Sequence, residues 1–290
     1  MNIRHFDQLP KPYVAYGKVI ASLLKKPSKG AAVLPAAEYI VDQLKIDPAH
    51  LARYQTVCGF KTGTNVPATY LVVLGQSLQL SMMTDEAFPF PIIGLVHIRN
   101  SVTQHRPINS SETLRLTCQF GALQPHDKGV QFDFIMTAKV GAELVWQGST
   151  TYLMRQKVPA GTTTAPAAER TEKTIAQAGD QQAIWSVPEN IGRRYGMASG
   201  DFNLIHVHAV TAKAFGFPKA IAHGLWSKAR CLAELGELPA AYRADVQFKL
   251  PVFLPAKVEF LAQKQQQQTV FNLSDAKSGK PHLAGTLTRL

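Results

Sequence analysis

The ten residues SGDFNLIHVH, Ser199 to His208, set a carboxylate, a carboxamide and two imidazoles side by side in a chain that is otherwise apolar and basic. Asp201, Asn203 and His206 follow the spacing D-x-N-x-x-H, and His223 and Gly224 stand at what reads as the start of a helix. A loop carrying Asp and His at this spacing can turn both side chains toward one point, with Asn securing the turn through hydrogen bonds to backbone groups. The first N–H groups of a helix opening at Gly224 lack intrahelical partners and lie at the positive end of its dipole, so they can hold an oxygen that is becoming negative. A glycine there lets a ligand come close to the backbone. A base, an acid and an oxyanion donor are what adding water across the double bond of an enoyl thioester requires. The base activates water for attack at Cβ, the acid protonates Cα, and the donor stabilises the enolate between them; Asp201 and His206 sharing one water can make both proton transfers.

Other chemistries are open to the same stretch. Ser199 as a nucleophile would need a G-x-S-x-G elbow or a base at fixed spacing, and neither is present. His206, His208 and His223 are a set that could bind a metal, but no cysteine joins them, and the expectation is no metal. His208 reads as a structural or surface histidine. Arg193, Arg194, Lys213, Lys219, Lys228 and Arg230 flank the motif; some could hold phosphates of coenzyme A, while the plainer reading for each is a solvated surface.

The elements that position these residues come in two copies. RYQTVCGF (Arg53 to Phe60) matches RYGMASGD (Arg194 to Asp201) at Arg, Tyr and Gly in register. Each is followed by an apolar helical stretch, one after Pro67 and one after Gly224, where Leu225, Ala229, Leu232 and Leu235 form a buried stripe. Each helix leads into about four strand-like runs: LVHIRNSVTQ, TLRLTCQF, VQFDFIMTAKV and ELVWQGSTTYLMR against ADVQFKLPVF, KVEFLAQK, TVFNLSD and LAGTLTRL. One unit is therefore written twice, a long helix against an antiparallel meander. QKQQQQ, Gln263 to Gln268, is read as a polar hairpin loop. Between the copies, Gln156 to Gln182 is rich in Ala, Thr, Pro and Gln without apolar periodicity and reads as a linker.

Composition narrows the class. With 46% hydrophobic and 18% charged residues, the 290-residue chain is of the folded globular kind. Neither a signal-like apolar run at the N-terminus nor the roughly 18 uninterrupted apolar residues of a membrane span is found, and the expectation is a cytoplasmic protein free of the membrane. Cys58, Cys118 and Cys231 are too few and too scattered for a disulfide framework or a CxxC metal site. The formal charge of +11 suits an anionic partner: nucleic acid, an acidic carrier protein or a phosphate-bearing small molecule. No block of five or six like charges marks a nucleic-acid tract, and nucleic acid is not expected.

The run from Tyr195 to Gly224, YGMASGDFNLIHVHAVTAKAFGFPKAIAHG, resembles the hydratase motif of the MaoC-like, R-specific enoyl thioester hydratases and dehydratases, while the first half, including FPFPIIGLVHIRN, is similar to their two-half members more loosely. The resemblance implies an α+β double hot-dog fold, each repeat a long helix wrapped by an antiparallel sheet. It implies division into 1–160, a hot-dog repeat without the catalytic motif; 161–180, the linker; and 181–290, the catalytic repeat. It further implies that Asp201 and His206 activate the water, Asn203 supports them and the Gly224 N–H serves the oxyanion hole. The family motif usually has Pro after its Asn; Leu204 stands there, which loosens the turn.

The reading is a hydro-lyase that interconverts 2-enoyl and (R)-3-hydroxyacyl thioesters. Its substrate would be an acyl-coenzyme A or acyl carrier protein thioester, with no cofactor beyond coenzyme A as part of that substrate. Two repeats make a pseudo-dimer within one chain and leave room for a homodimer. The rivals are a hot-dog acyl thioesterase and a non-catalytic acyl-thioester-binding protein. In the silent half, Phe60 occupies the place of Asp201, and the short hop to Pro67 is expected to leave an apolar acyl pocket lined by Tyr70, Leu71 and Val73.

Overall fold

The computed structural model describes residues 2–11, 32–156 and 180–290. Its elements run β1 (Asn2–Phe6), β2 (Ala37–Lys45), α1 (Pro48–Cys58), α2 (Ala68–Met83), β3 (Leu95–Gln104), β4 (Thr113–His126), β5 (Gly129–Val140), β6 (Glu143–Arg155), β7 (Gln181–Val187), α3 (Ile191–Ser199), α4 (Leu204–Val207), α5 (Ala209–Ala214), α6 (Gly224–Glu234), β8 (Tyr242–Phe248), β9 (Ala256–Lys264), β10 (Gln268–Asp275) and β11 (Pro281–Arg289). All eight strand-like runs of the repeat are strands, and both apolar stretches are helices. The Gln-rich run is the tip of the β9–β10 hairpin, closed by a Gln265 N–H to Gln268 carbonyl bond of 2.7 Å. The linker expected at 161–180 lies, apart from Asp180, outside the described residues.

The chain forms two compact units that interleave in sequence: Met1–Lys45, Leu71–Asn100 and Thr113–Lys173 in the first, and Ile46–Tyr70, Ser101–Glu112 and Thr174–Leu290 in the second. In the first unit the strands lie in the order β1-β2-β4-β5-β6-β3. Helix α2 has no exposed residue, in keeping with its lack of charge. Gly75 lets it lie close to β5, since a Cβ there would fall 2.2 Å from the Met136 sulfur. Phe88, Phe90, Phe120, Phe132, Phe134 and Tyr152 form a connected aromatic cluster with centroids 4.8–6.4 Å apart.

In the second unit the order is β3-β8-β11-β10-β9-β7. This corrects the expected four-strand meander. Only β9, β10 and β11 follow one another as hairpins, while β8 pairs antiparallel with β11, Phe248 opposite Leu283 and Tyr242 opposite Arg289. The link from β8 to β9 carries Pro251 and Pro255 and is too long for a tight hairpin. It is used instead to brace the site described below. β2 and β7, which precede the repeated run in each half, and the short helices α1 and α3 are further elements that the strand-like and apolar runs do not cover.

Those helices explain the match between RYQTVCGF and RYGMASGD. Each ends in a glycine with left-handed backbone, Gly59 at φ 80° and Gly200 at φ 74°, a conformation that only glycine adopts without cost. Tyr54 and Tyr195 are both fully buried and face each other at 6.2 Å, so α1 packs with α3 in the second unit. Among the described residues no helix is long and apolar enough to cross a membrane. The three cysteines are buried and unlinked.

Candidate active site

Helix α3 supplies the bed on which the D-x-N-x-x-H segment lies. Gly192 and Gly196, one turn apart, leave its face bare of side chains. A Cβ at Gly192 would fall 1.9 Å from the His206 carbonyl oxygen, and one at Gly196 would fall 2.9 Å from that of Asp201. Gly200 then ends the helix and reverses the chain toward Asp201, whose N–H bonds to the Ser199 hydroxyl at 3.2 Å. That bond gives Ser199 a structural use.

The turn itself is built as the spacing predicts. The Asp201 carboxylate accepts from the Asn203 N–H at 3.1 Å, and the Asn203 carboxamide oxygen caps α4 from the Ile205 N–H at 3.4 Å. Leu204 is the first residue of that helical turn. Proline is welcome at this first helical position because its missing N–H is not needed there, and Leu204 takes that position here. His208 caps the next helix, accepting from the Val210 N–H at 3.2 Å, and stands apart from the cluster that follows.

Fifteen residues later the chain returns. The segment 220–222 is pinned on both sides: the Ile221 N–H reaches the Ile205 carbonyl at 3.1 Å, and the Ala222 N–H reaches the Val252 carbonyl, in the β8–β9 link, at 2.9 Å. Its Ile221 carbonyl accepts from His206 Nδ1 at 2.8 Å. A carbonyl only accepts, so Nδ1 carries the proton and the lone pair is on Nε2. Burial pushes the His206 imidazole below its ordinary pKa, with Asp201 and the Ile221 carbonyl opposing. The ring is therefore a neutral base at pH 7.

Next along this segment, His223 joins the site, a residue that the sequence groups with His206 only as a possible metal set. Its Nε2 lies 3.0 Å from the Asp201 carbonyl oxygen and 3.8 Å from Asp201 Oδ2. Its ring stacks on His206 with centroids 3.7 Å apart, and Tyr195 lies against it at 4.9 Å. The Tyr195 hydroxyl and His223 Nδ1 are buried without a hydrogen-bond partner. Burial, and then the neighbouring His206, push the His223 imidazole down to about 3, with Asp201 pulling the other way. Burial also holds the Tyr195 phenol far above its usual range, so it stays protonated.

One donor or acceptor atom each from Asp201, His206 and His223 lies within 4.8 Å of the others. That spacing is one that a single water, with hydrogen bonds of about 2.8 Å, bridges. It suits a metal less well. Rings stacked 3.7 Å apart and tilted by 26° aim their in-plane lone pairs alongside each other, whereas one ion needs both to converge about 2 Å away. The carboxylate side chain keeps 29% exposure while both imidazoles are buried, so solvent reaches the group from the Asp201 side.

Gly224 opens α6 as expected, and no side chain caps that helix. Packing also favours a glycine here: the space of its missing Cβ is taken by the Phe248 ring, 3.0 Å away. The cations divide. Arg193, Arg194, Lys213 and Lys219 are exposed, Arg193 donating to the Val207 carbonyl at 3.0 Å. Arg230 lies over the Trp185 ring at 4.4 Å and pairs with Glu234 at 2.8 Å. Lys228, expected on the surface, is fully buried; its ammonium donates to the Ala244 carbonyl at 2.9 Å, and burial lowers it to about 7. Tyr70 and Leu71 are 0% exposed and Val73 3%, and the Tyr70 hydroxyl bonds His50 at 2.6 Å. All three side chains expected to line an acyl pocket are thus buried.

Residues 163–286 match the MaoC like domain family. The chain is 33% identical over 258 residues to the 3-hydroxyacyl-thioester dehydratase X of Mycobacterium tuberculosis, covering 89% of this chain and 91% of that protein. It superposes on a crystal structure of the M. tuberculosis protein HtdX with a TM-score of 0.75 at 32% identity, over 87% of this chain and all of the other. A second M. tuberculosis structure, described as a double hot-dog fold, matches at TM-score 0.52 and 10% identity over 93% of this chain and 97% of its own, which speaks to fold alone.

Proposed function

The chain belongs to the MaoC-like dehydratase family, and on that premise we propose that it interconverts 2-enoyl and (R)-3-hydroxyacyl thioesters through Asp201 and His206. The fold is a double hot dog, and the activity is that of a hydro-lyase on acyl thioesters. The observation that carries the assignment of residues is the pinned His206 ring. With Nδ1–H held by the Ile221 carbonyl, the neutral ring keeps its Nε2 lone pair to act as base, and one ring nitrogen of His206 lies within 4.8 Å of the Asp201 carboxylate.

In hydration, the water lies between Asp201 and His206 and loses a proton to them as its oxygen bonds C3 of the enoyl chain. The π electrons move onto the thioester as an enolate, whose oxygen lies at the N-terminus of α6 and is held by the Gly224 N–H. The proton is then delivered to C2, so the side chains end as they began, and dehydration is the reverse. Asn203 holds the turn that aims Asp201. No cofactor or metal enters. Coenzyme A as carrier would place its phosphates near exposed cations such as Arg193, Arg194, Lys213 and Lys219, and an acidic carrier protein would meet the same charges. A cytoplasmic setting suits such a substrate.

The test is incubation with crotonyl-coenzyme A, following enoyl absorbance, free thiol and the chirality of the hydroxy product together. Loss of the enoyl chromophore with an R product and no thiol is expected. Thiol release would make the protein a thioesterase, and binding without turnover would make it a carrier-recognition protein.

A further inference from the structure

His223 is deeply buried, central to the site and not used by the chemistry described above. Both of its possible roles in proton transfer are closed by its contacts. Nε2 faces the Asp201 carbonyl at 3.0 Å and must carry the hydrogen, since the carbonyl accepts. Nδ1 is shut away from solvent, with the residue only 3% exposed. The groups that face the ring are the Asp201 carboxylate, the His206 imidazole and the Tyr195 phenol.

What His223 does have is a place in a clamp. Residues 221–223 hold the segment from Asp201 to His206 at both ends, the Ile221 carbonyl gripping the His206 ring and the His223 ring Nε2–H donating to the Asp201 carbonyl. On the opposite side the same two residues rest on Gly196 and Gly192 of α3. The segment from Asp201 to His206 is thus fixed between a bare helix face and a pinned strand-like return, and the His223 ring fills the space under the base.

We infer that His223 is a positioning residue for this reaction: its Nε2–H fixes Asp201 through the backbone carbonyl, and its neutral ring supports the flat face of His206. The inference rests on the reaction assigned to Asp201 and His206. A neutral partner is essential to it, because a cation stacked at 3.7 Å would oppose protonation of His206 during turnover.

Two variants separate the parts. His223→Gln keeps an N–H near the place of Nε2 but no ring; His223→Phe keeps a ring but no donor. With folding checked by circular dichroism, His223→Phe is expected to lose about 10²-fold in kcat with KM changed less than about threefold, as for a misplaced rather than a missing group. His223→Gln should retain kcat within about tenfold, with the acidic limb of its pH–rate profile moved upward as the His206 face becomes less covered. His223→Phe as active as wild type, or both variants with the wild-type pH profile, would overturn the inference. Nitrogen NMR of the wild-type imidazoles tests it without any variant. His223 should hold its proton on Nε2 and fail to titrate between pH 5 and 8, and a proton on Nδ1 or a midpoint near 6.5 would overturn it. Wild-type protein inactive on crotonyl-coenzyme A would refute the reaction instead, and the NMR result would still decide the geometry.

Discussion

Replacing Gly192 by Ala tests whether α3 is the bed of the catalytic segment. The new Cβ would lie 1.9 Å from the His206 carbonyl oxygen and 2.9 Å from its carbon, both backbone atoms that cannot swing aside. Ordinary contact begins at 3.4 Å, so the two must part by about 1.5 Å. That is more than the 2.8 Å bond from His206 Nδ1 to Ile221 can absorb. A displacement of about 1 Å at a reacting group costs on the order of 10²-fold in rate. The fold should survive: overpacking costs about 1–3 kcal/mol, and Ala offsets up to about 1 kcal/mol as a better helix former than Gly. Steady-state kinetics on crotonyl-coenzyme A, with thermal melting by circular dichroism, should give kcat lower by about 10²-fold and a melting point lower by only several degrees. Gly196→Ala, which must open only about 0.5 Å against the Asp201 carbonyl, should cost about tenfold. A folded Gly192→Ala protein with wild-type kcat would refute the argument.

Asp201→Asn and His206→Ala should each lower kcat by about two or more orders of magnitude with unchanged circular dichroism, and Asn203→Ala should cost less; a larger loss for Asn203 would mean the roles are misassigned. Because burial holds the His223 imidazole down at about 3 in the folded state, the unfolded chain binds more protons below its ordinary pKa of about 6.5. Stability should therefore be full above that pH and decline as pH falls toward 3, by up to about 1.4 kcal/mol per unit from this group; urea midpoints independent of pH across that window would contradict it. Lys228, lowered to about 7 by burial, has the complementary effect: the unfolded chain keeps a proton that the folded one releases, so stability should rise from about pH 7 to 10. Lys228→Met should flatten that rise, and an unchanged slope would show that the ammonium is not the cause. If exposed cations hold a phosphorylated carrier, KM for a coenzyme A thioester should climb with salt more steeply than KM for a pantetheine thioester, since screening acts over about 8–10 Å; equal slopes would return the +11 charge to solubility.

Asp201, Asn203 and His206 were legible because their grouping is local. A turn of six residues closes on itself through the Asn203 N–H and the Ile205 N–H, and short-range hydrogen bonding follows from residue type. The strands and the two apolar helices were legible because periodicity records which face is buried. The helix-ending glycines made the repeat visible because left-handed backbone admits few other residues. Nothing of this kind could announce the strand order, in which β8 leaves β9 to pair with β11. Nor could it separate a buried lysine in α6 from a surface one, since a single charge at a helical position does not show what packs over it.

The remaining half of the site was decided only in three dimensions. His206 gets its tautomer from a backbone carbonyl 15 residues away, and Asp201 is held by a histidine 22 residues away; a carbonyl has no identity in a sequence, and contacts at that separation depend on the path by which the chain returns. Gly192 and Gly196 look like ordinary helix weaknesses until the His206 and Asp201 carbonyls are seen to fill the space their side chains would need. The chain by itself marked which groups could do the chemistry, Asp201, Asn203 and His206. Tertiary packing decided which nitrogen of His206 carries the lone pair and that the ring beneath it stays neutral, because both follow from burial and from partners that only the folded chain brings together.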